Sequence, residues 1–191
     1  LRVQNKNSAA SPNQVVTAFR DHYFYELDTI NFLKSGKEWY GEEFSNTPGK
    51  TVTRNFSVSF PNLVTGTPVQ IVSNVAARSN SVSSSFTVRA NNNVAVQHNV
   101  TSVGTGTYDP VAFPHEAVST FTSAQSAITI QYTYQPGSLN SQGWLNWFKL
   151  FPQRLLSMNG IDQLMFRDWE TVGSGNSTEF RLQSASANTI V

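Results

Sequence analysis

Stretches that alternate apolar and polar residues with a period of two recur along this chain, and that period limits most of what it can fold into. In "NFSVSF" (55–60) Phe56, Val58 and Phe60 share one face, while Ser57 and Ser59 share the other. "SSFTVRA" (84–90) places Phe86, Val88 and Ala90 together, and "AITIQYTYQ" (127–135) sets Ile128, Ile130, Tyr132 and Tyr134 against Thr129, Gln131 and Thr133. Successive side chains of a strand point to opposite faces, so each stretch predicts a half-buried strand, apolar inward and polar outward.

"PVQIVSNVAARS" (68–79) adds a strand through Val69, Ile71 and Val75, and "NVAVQHNV" (93–100) one through Val94, Val96 and Val100. "STEFRLQSA" (177–185) and the terminal "NTIV" read as two more. Between them lie turn clusters: "FPNLVTGTP", "ANNN", "TGTYDP", "QPGSLNSQG" and "VGSGNS". Roughly eight to eleven short strands joined by polar turns make an all-β, antiparallel, jelly-roll-like sandwich, with a loop or short helix near the N-terminus. A seven-stranded immunoglobulin-type sandwich is the competing architecture. Residues 20–191 read as one β-sandwich domain after a loosely ordered segment 1–19, and the opening "LRVQNKNSAASPN" reads as a cut from a larger protein.

"GWLNWFKLFPQRLL" (143–156) departs from strict alternation. Trp144, Asn146, Phe148 and Leu150 form one alternate set, and Leu145, Trp147, Lys149 and Phe151 the other. Both sets are largely apolar, so this strand should be central and covered on both sides. Pro152 has no N–H to give a ladder, so the strand should bend or reach an edge there.

Composition narrows the function classes. Ser, Thr and Asn make up 59 of the 191 residues, a mixture that suits exposed strand faces and turns rather than helix interiors. Lys and Arg number 13 against 12 Asp and Glu, which provides no basic track for nucleic acid. With no Cys, the chain offers no thiol nucleophile, disulfide or thiolate zinc site. No apolar run approaches the length of a membrane span, and no cofactor is expected.

The densest chemistry is "SGKEWYGEEF" (35–44). Glu38, Glu42 and Glu43 could serve glycoside hydrolysis only if two carboxyls faced each other across a cleft, which proximity in sequence does not provide. The preferred reading is a structural latch: Ser35, Gly36, Glu38, Trp39, Tyr40, Gly41 and Glu42 form a tight loop, with Gly36 and Gly41 permitting the turn. Trp39 and Tyr40 are then expected to anchor the loop, the glutamates to stay in water, and Trp39→Ala to cost about 3 kcal/mol. Trp39 and Trp169 are the candidate stacking platforms for a sugar. His22, Glu26 and Asp28 share one face of an extended "HYFYELD" and are weak metal candidates; a strand with its charged side in water is the preferred reading. His98 falls in a strand and His115 in a loop, with no supporting neighbour for catalysis, and no "GxSxG" elbow is present.

Two stretches together carry a family resemblance. "FYELDTINFLKSGKEWYGEEF" (24–44) resembles a segment of the PorU sortase family of Bacteroidetes type IX secretion, where it precedes a gingipain-type cysteine peptidase domain. "GWLNWFKLFPQRLLSMNGIDQLMFRD" (143–168) is similar to a later strand pair of that family, departing from it at Asn146, Trp147 and Lys149, where Asp, Tyr and Glu are frequent. The catalytic Cys and His of that peptidase match no residue here. The resemblance implies a non-catalytic accessory or interaction domain of an exported, outer-membrane or cell-surface enzyme that cleaves C-terminal sorting domains from secreted cargo and transfers the cargo to a surface glycolipid. Its implied partners are the adjacent peptidase domain of the same polypeptide, secretion components and cargo sorting domains. A carbohydrate-binding module of a secreted bacterial protein is the alternative.

Overall fold

The computed structural model describes residues 11–191. The chain is all-β, with strands β1 (Gln14–Val16), β2 (Ala18–Arg20), β3 (Tyr23–Glu26), β4 (Glu43–Phe44), β5 (Thr53–Ser59), β6 (Pro68–Arg78), β7 (Ser84–Ala90), β8 (Asn93–Val100), β9 (Phe113–Thr122), β10 (Ala127–Gln135), β11 (Gln142–Phe151), β12 (Gln153–Leu155) and β13 (Thr178–Phe180). Among the described residues no helix forms, and the loop expected near the N-terminus falls at 27–42, after strands β1, β2 and β3.

One sheet runs β5-β10-β7-β8. The other runs β3-β11-β6-β9, with β4 pairing the same strand, β11, as β3 does. Every ladder in these two sheets is antiparallel. The chain passes between sheets from β5 to β6, β6 to β7, β8 to β9, β9 to β10 and β10 to β11, which is the winding of a jelly roll. The one hairpin within a sheet joins β7 to β8 through Asn91 and Asn92, both at positive φ (47° and 71°), as a two-residue turn of the type favoured by strand twist requires.

The alternating faces pack as expected in β5, β7 and β10, whereas in β8 a register shift with β7 leaves Val94 62% exposed and, of the expected valines, only Val96 and Val100 inward. Val58, Phe86, Val88, Ile128, Ile130, Tyr132 and Tyr134 of one sheet face Val69, Ile71, Val75, Leu145, Phe148 and Leu150 of the other. Burying these side chains supplies the main stabilising term of the fold.

β11 lies inside its sheet, between β3/β4 and β6, but its two faces are not the simple alternate sets. The register with β6 slips between Leu145 and Trp147, so a bulge at Asn146 moves Leu145 to the core side with Phe148 and Leu150. Asn146 is buried there and donates to Asn74 Oδ1 at 3.2 Å. Trp144, Trp147, Lys149 and Phe151 take the outer side, where Lys149 Nζ lies 4.5 Å from the Trp147 ring centre and 5.4 Å from that of Phe24. At Pro152 the ladder breaks, and β12 pairs with β2 instead of β6.

The chain ends differ from their sequence reading. Residues 1–10 lie outside the described residues, but 14–20 are not loose. β1 pairs in parallel with β13, and Val16 and Phe19 form a satellite cluster with Leu156, flanked by Leu164, Phe166 and Leu182. Arg154 fixes this corner with an ion pair to Asp21 at 2.7 Å and a bond to the Pro61 carbonyl at 2.7 Å. The strand in 177–185 shrinks to β13, and 188–191 is irregular.

Candidate functional site

β3 and β4 are two halves of one edge strand. β3 pairs with Trp147–Leu150 and β4 with Gly143 and Trp144. Between them residues 27–42 leave the sheet as an excursion, rejoining where Gly41 N donates to Leu145 O (2.9 Å) and Leu145 N to Glu42 O (3.1 Å).

Its two arms are tied by reciprocal bonds of 2.8 Å between Ile30 and Tyr40. Asn31 closes the tip: its Oδ1 accepts from the Leu33 and Ser35 amides, and its Nδ2 donates to the Ser35 and Glu38 carbonyls. The left-handed residue of this turn is Lys34 (φ 52°), not Gly36, whose Cβ position is open space. Gly41 is needed for another reason, since a Cβ there would collide with the Leu27 carbonyl oxygen. Asn31 is the residue that sequence reasoning missed. An Asn opening a polar, Gly-containing turn is the signal that points to it.

The excursion folds back on the outer face of β11. Tyr40, Trp144 and Ala76 are buried together, with Ile30, Phe32 and Ala112 packed around them. Phe32 stacks on Tyr40 (4.7 Å, 19°) and meets Trp144 edge-on (4.6 Å, 66°). The indole N–H of Trp144 is buried without an acceptor among the described residues, a cost of about 1–3 kcal/mol set against this ring packing.

The excursion rests on the sheet through Tyr40, 4% exposed, and not through Trp39, 43% exposed. Neighbouring residues of an extended arm point opposite ways, and the Ile30 pairing turns Tyr40 inward. Trp39→Ala is accordingly expected to change stability by less than about 1 kcal/mol in a urea titration, in contrast to the sequence-based figure.

Nor do the glutamates all stay in water. Glu42 accepts from Tyr25 Oη at 2.8 Å and pairs with Arg54 at 2.6 Å. Burial and this bond push the Tyr25 hydroxyl up to about 12. Glu43 pairs with Lys50 at 2.9 Å and accepts from Gln142 at 3.1 Å; burial opposes its charge, but these bonds hold it below the usual carboxylate range. Glu38 accepts from Tyr40 Oη at 3.2 Å, and burial followed by the Glu38 charge raises Tyr40 to about 12.

A cleft of about 640 Å³ lies between this excursion and the β8–β9 loop. Phe32, Leu33, Lys37 and Glu38 form one wall, and Tyr108 and Pro110 stand in the other. Tyr108 is fully exposed and Leu33 is 74% exposed. Only Glu38 of the three glutamates reaches this lining, so the paired carboxylates of a glycosidase do not converge here.

Trp169 stands 75% exposed beside a second cleft of about 570 Å³, with Arg20, Phe151 and Arg167. The His22 ring lies tilted against Phe151 at 5.1 Å, Glu26 stands opposite Trp147, and Asp28 lies in the excursion. Among the described residues no three His, Asp or Glu side chains form a group able to hold a metal ion.

Two histidines behave unlike their sequence reading. His115 lies in β9 rather than a loop, and its Nδ1 is 2.9 Å from Nδ1 of His98. His98 Nε2 is 3.0 Å from Ser73 Oγ, which is 2.7 Å from the Tyr132 hydroxyl. A Ser–His–His string has the spacing of a nucleophile and its base. Ser73 and His98 are each 0% exposed, however, so a substrate cannot reach the hydroxyl and the string is structural.

No protein-family model and no curated protein matches this chain. Among solved structures it is similar to dimeric latent PorU from Porphyromonas gingivalis, with a TM-score of 0.68 and 17% identity over 93% of this chain. The likeness is one of fold. The chain spans 16% of the length of that PorU chain. The CBM36-1 domain of a multidomain xylanase from the hindgut metagenome of Trinervitermes trinervoides (TM-score 0.39, 9% identity, 68% of this chain and 96% of that one) is far more distant. So is a CBM36 carbohydrate-binding module in complex with calcium and xylotriose (TM-score 0.38, 15% identity, 68% of this chain and 98% of that one). Likeness at that level carries no argument about ligands.

Proposed function

We propose that this chain is a non-catalytic β-sandwich accessory domain of an exported, outer-membrane-associated cysteine peptidase of the PorU type, serving type IX secretion. The observation that carries the reading is the PorU-like fold over 93% of the chain. It is joined by the place of the "SGKEWYGEEF" stretch, which forms most of the distal arm of an excursion that splits an edge strand and walls the cleft facing Tyr108. A sandwich needs no such excursion to close its core, and a loop held on a rigid sheet is where contacts to other chains are commonly built. The domain's partners are then the adjacent peptidase domain and, through it, cargo sorting domains or secretion components.

The test is made in the intact parent protein. Shortening residues 31–39 to a two-residue turn should leave secretion to the surface unchanged and reduce cargo cleavage at least tenfold, roughly the effect of misplacing a reacting partner by an ångström. Unchanged cleavage would refute the reading.

A second reading, a carbohydrate-binding module, has one feature in its favour: the exposed indole of Trp169 beside a cleft. Calorimetric titration with soluble glycans decides it, since binding lost in Trp169→Ala at unchanged stability would replace the first reading.

A further inference from the structure

β8 and β9 lie on one side of the sandwich in different sheets, and no hydrogen-bonded ladder joins them. Among the described residues side chains meet across this seam. His98 from β8 and His115 from β9 meet there, ring centres 5.2 Å apart and planes at 84°, with the Nδ1 atoms 2.9 Å apart.

Counting protons shows what the contact tolerates. One Nδ1 must carry the hydrogen and the other must present a lone pair. With both rings neutral the string can run from Tyr132 through Ser73 to His98 and His115, or the reverse. One added proton still leaves one lone pair, so the contact survives. A second proton puts hydrogens on both nitrogens and two cations in contact, which a 2.9 Å separation does not permit.

We propose that the His98–His115 contact is an acid-labile latch on the β8–β9 seam, closed with no or one bound proton and opened by the second. Water reaches only the half-buried His115, since His98 is fully buried. From β6 the pair meets Ser73, from β7 the Phe86 ring at 6.4 Å from His98, and beyond Ser73 the Tyr132 hydroxyl of β10. Glu116 of β9 is directed to the other side, where the Asn74 amide reaches it at 3.4 Å, and among the described residues no carboxylate pairs with either ring. Burial, then the His115 charge, pushes His98 down from 6.5 to about 4. With the closed-state value below the open-state value, the open state binds more protons. The latch is fully effective above about pH 6.5 and is lost as pH falls toward and through about 4.

Amide hydrogen exchange on the 191-residue chain, corrected for intrinsic pH dependence, tests this. Between pH 7 and pH 4 exchange in 93–100 and 113–122 should accelerate at least tenfold relative to 127–135, tenfold being about the effect of one proton per pH unit. His115→Gln, which keeps a donor and an acceptor but cannot titrate, should diminish that difference, leaving the part that burial of His98 causes. Exchange in β8 and β9 that keeps pace with β10, or an undiminished acid response in His115→Gln, would overturn the proposal. If that variant does not fold, imidazole ¹⁵N titration of the unmodified chain decides: two separated, mutually dependent steps support the latch, and two independent ordinary titrations refute it.

Discussion

Replacing Phe148 by Ala is expected to lower the unfolding free energy by about 4 kcal/mol, near the middle of the range for emptying a buried aromatic site. Phe148 is 0% exposed on the inner face of β11. Its ring lies 5.9 Å from Tyr23, 5.4 Å from Tyr25, 5.5 Å from Phe56 and 5.9 Å from Tyr132. Those rings stand on β3, β5 and β10, so one side chain joins the split edge strand of its own sheet to two strands of the other. Ring pairs contribute beyond their buried area, and Ala would remove four such pairs. The surrounding rings sit on three separate strands and cannot all move inward at once, so the cavity should persist. Urea denaturation followed by far-UV circular dichroism measures the loss. A value below about 2 kcal/mol would mean that the junction collapses and that Phe148 is not what joins the sheets.

The second large effect is expected at the latch. Tyr40→Ala should cost about 3 kcal/mol, because it removes the stacking partner of Phe32 and uncovers Trp144 and Ala76. Tyr40→Phe keeps the ring and loses only the bond to Glu38, so about 0.5–1 kcal/mol should suffice for it. The excursion can detach while the jelly roll remains, so the loss should be local as well as global. Trypsin cleavage after Lys34 and Lys37 reads the local part and should speed up strongly in Tyr40→Ala at urea concentrations where β10 stays protected. Equal cleavage rates in Tyr40→Ala and the unmodified chain would show that Tyr40 does not hold the excursion down. Together with the near-neutral Trp39→Ala, this pair separates the two neighbouring aromatics by their orientation.

Much of the sandwich was legible because alternation is a local property. The faces expected in 55–60, 84–90 and 127–135 are largely those that pack inward, since a strand's side chains must alternate whatever lies beyond it. The excess apolar character of 143–151 pointed to a covered central strand, and β11 is one. Other features depend on distant partners. The bulge at Asn146, which reverses one set of faces, follows from the Asn74 amide and from the place where β4 takes over from β3. β9 was missed as a strand because the face that turns inward in "FPHEAVSTFT" mixes Phe113, Ala117 and Phe121 with His115 and Ser119, so its burial alternates where its hydropathy does not. The order in segment 14–20 arises from β13 and from Leu156, Leu164, Phe166 and Leu182, all more than a hundred positions away. Of the candidate site, the loop and its density of chemistry were visible, whereas Tyr40 as anchor, Asn31 as tip and the bonded state of Glu42 were not.

By itself the sequence determined that this chain is an antiparallel β-sandwich with a polar exterior, no thiol chemistry and an unusual excursion around Trp39 and Tyr40, because period, composition and turn residues act over a few neighbours at a time. Only the tertiary structure decided which aromatic faces inward, that one edge strand is split into β3 and β4, and that His98 and His115 meet across a seam between two sheets. Those outcomes depend on register and winding. Both are set by the packing of residues far apart in the chain, where a shift of one position exchanges every inward side chain for its outward neighbour.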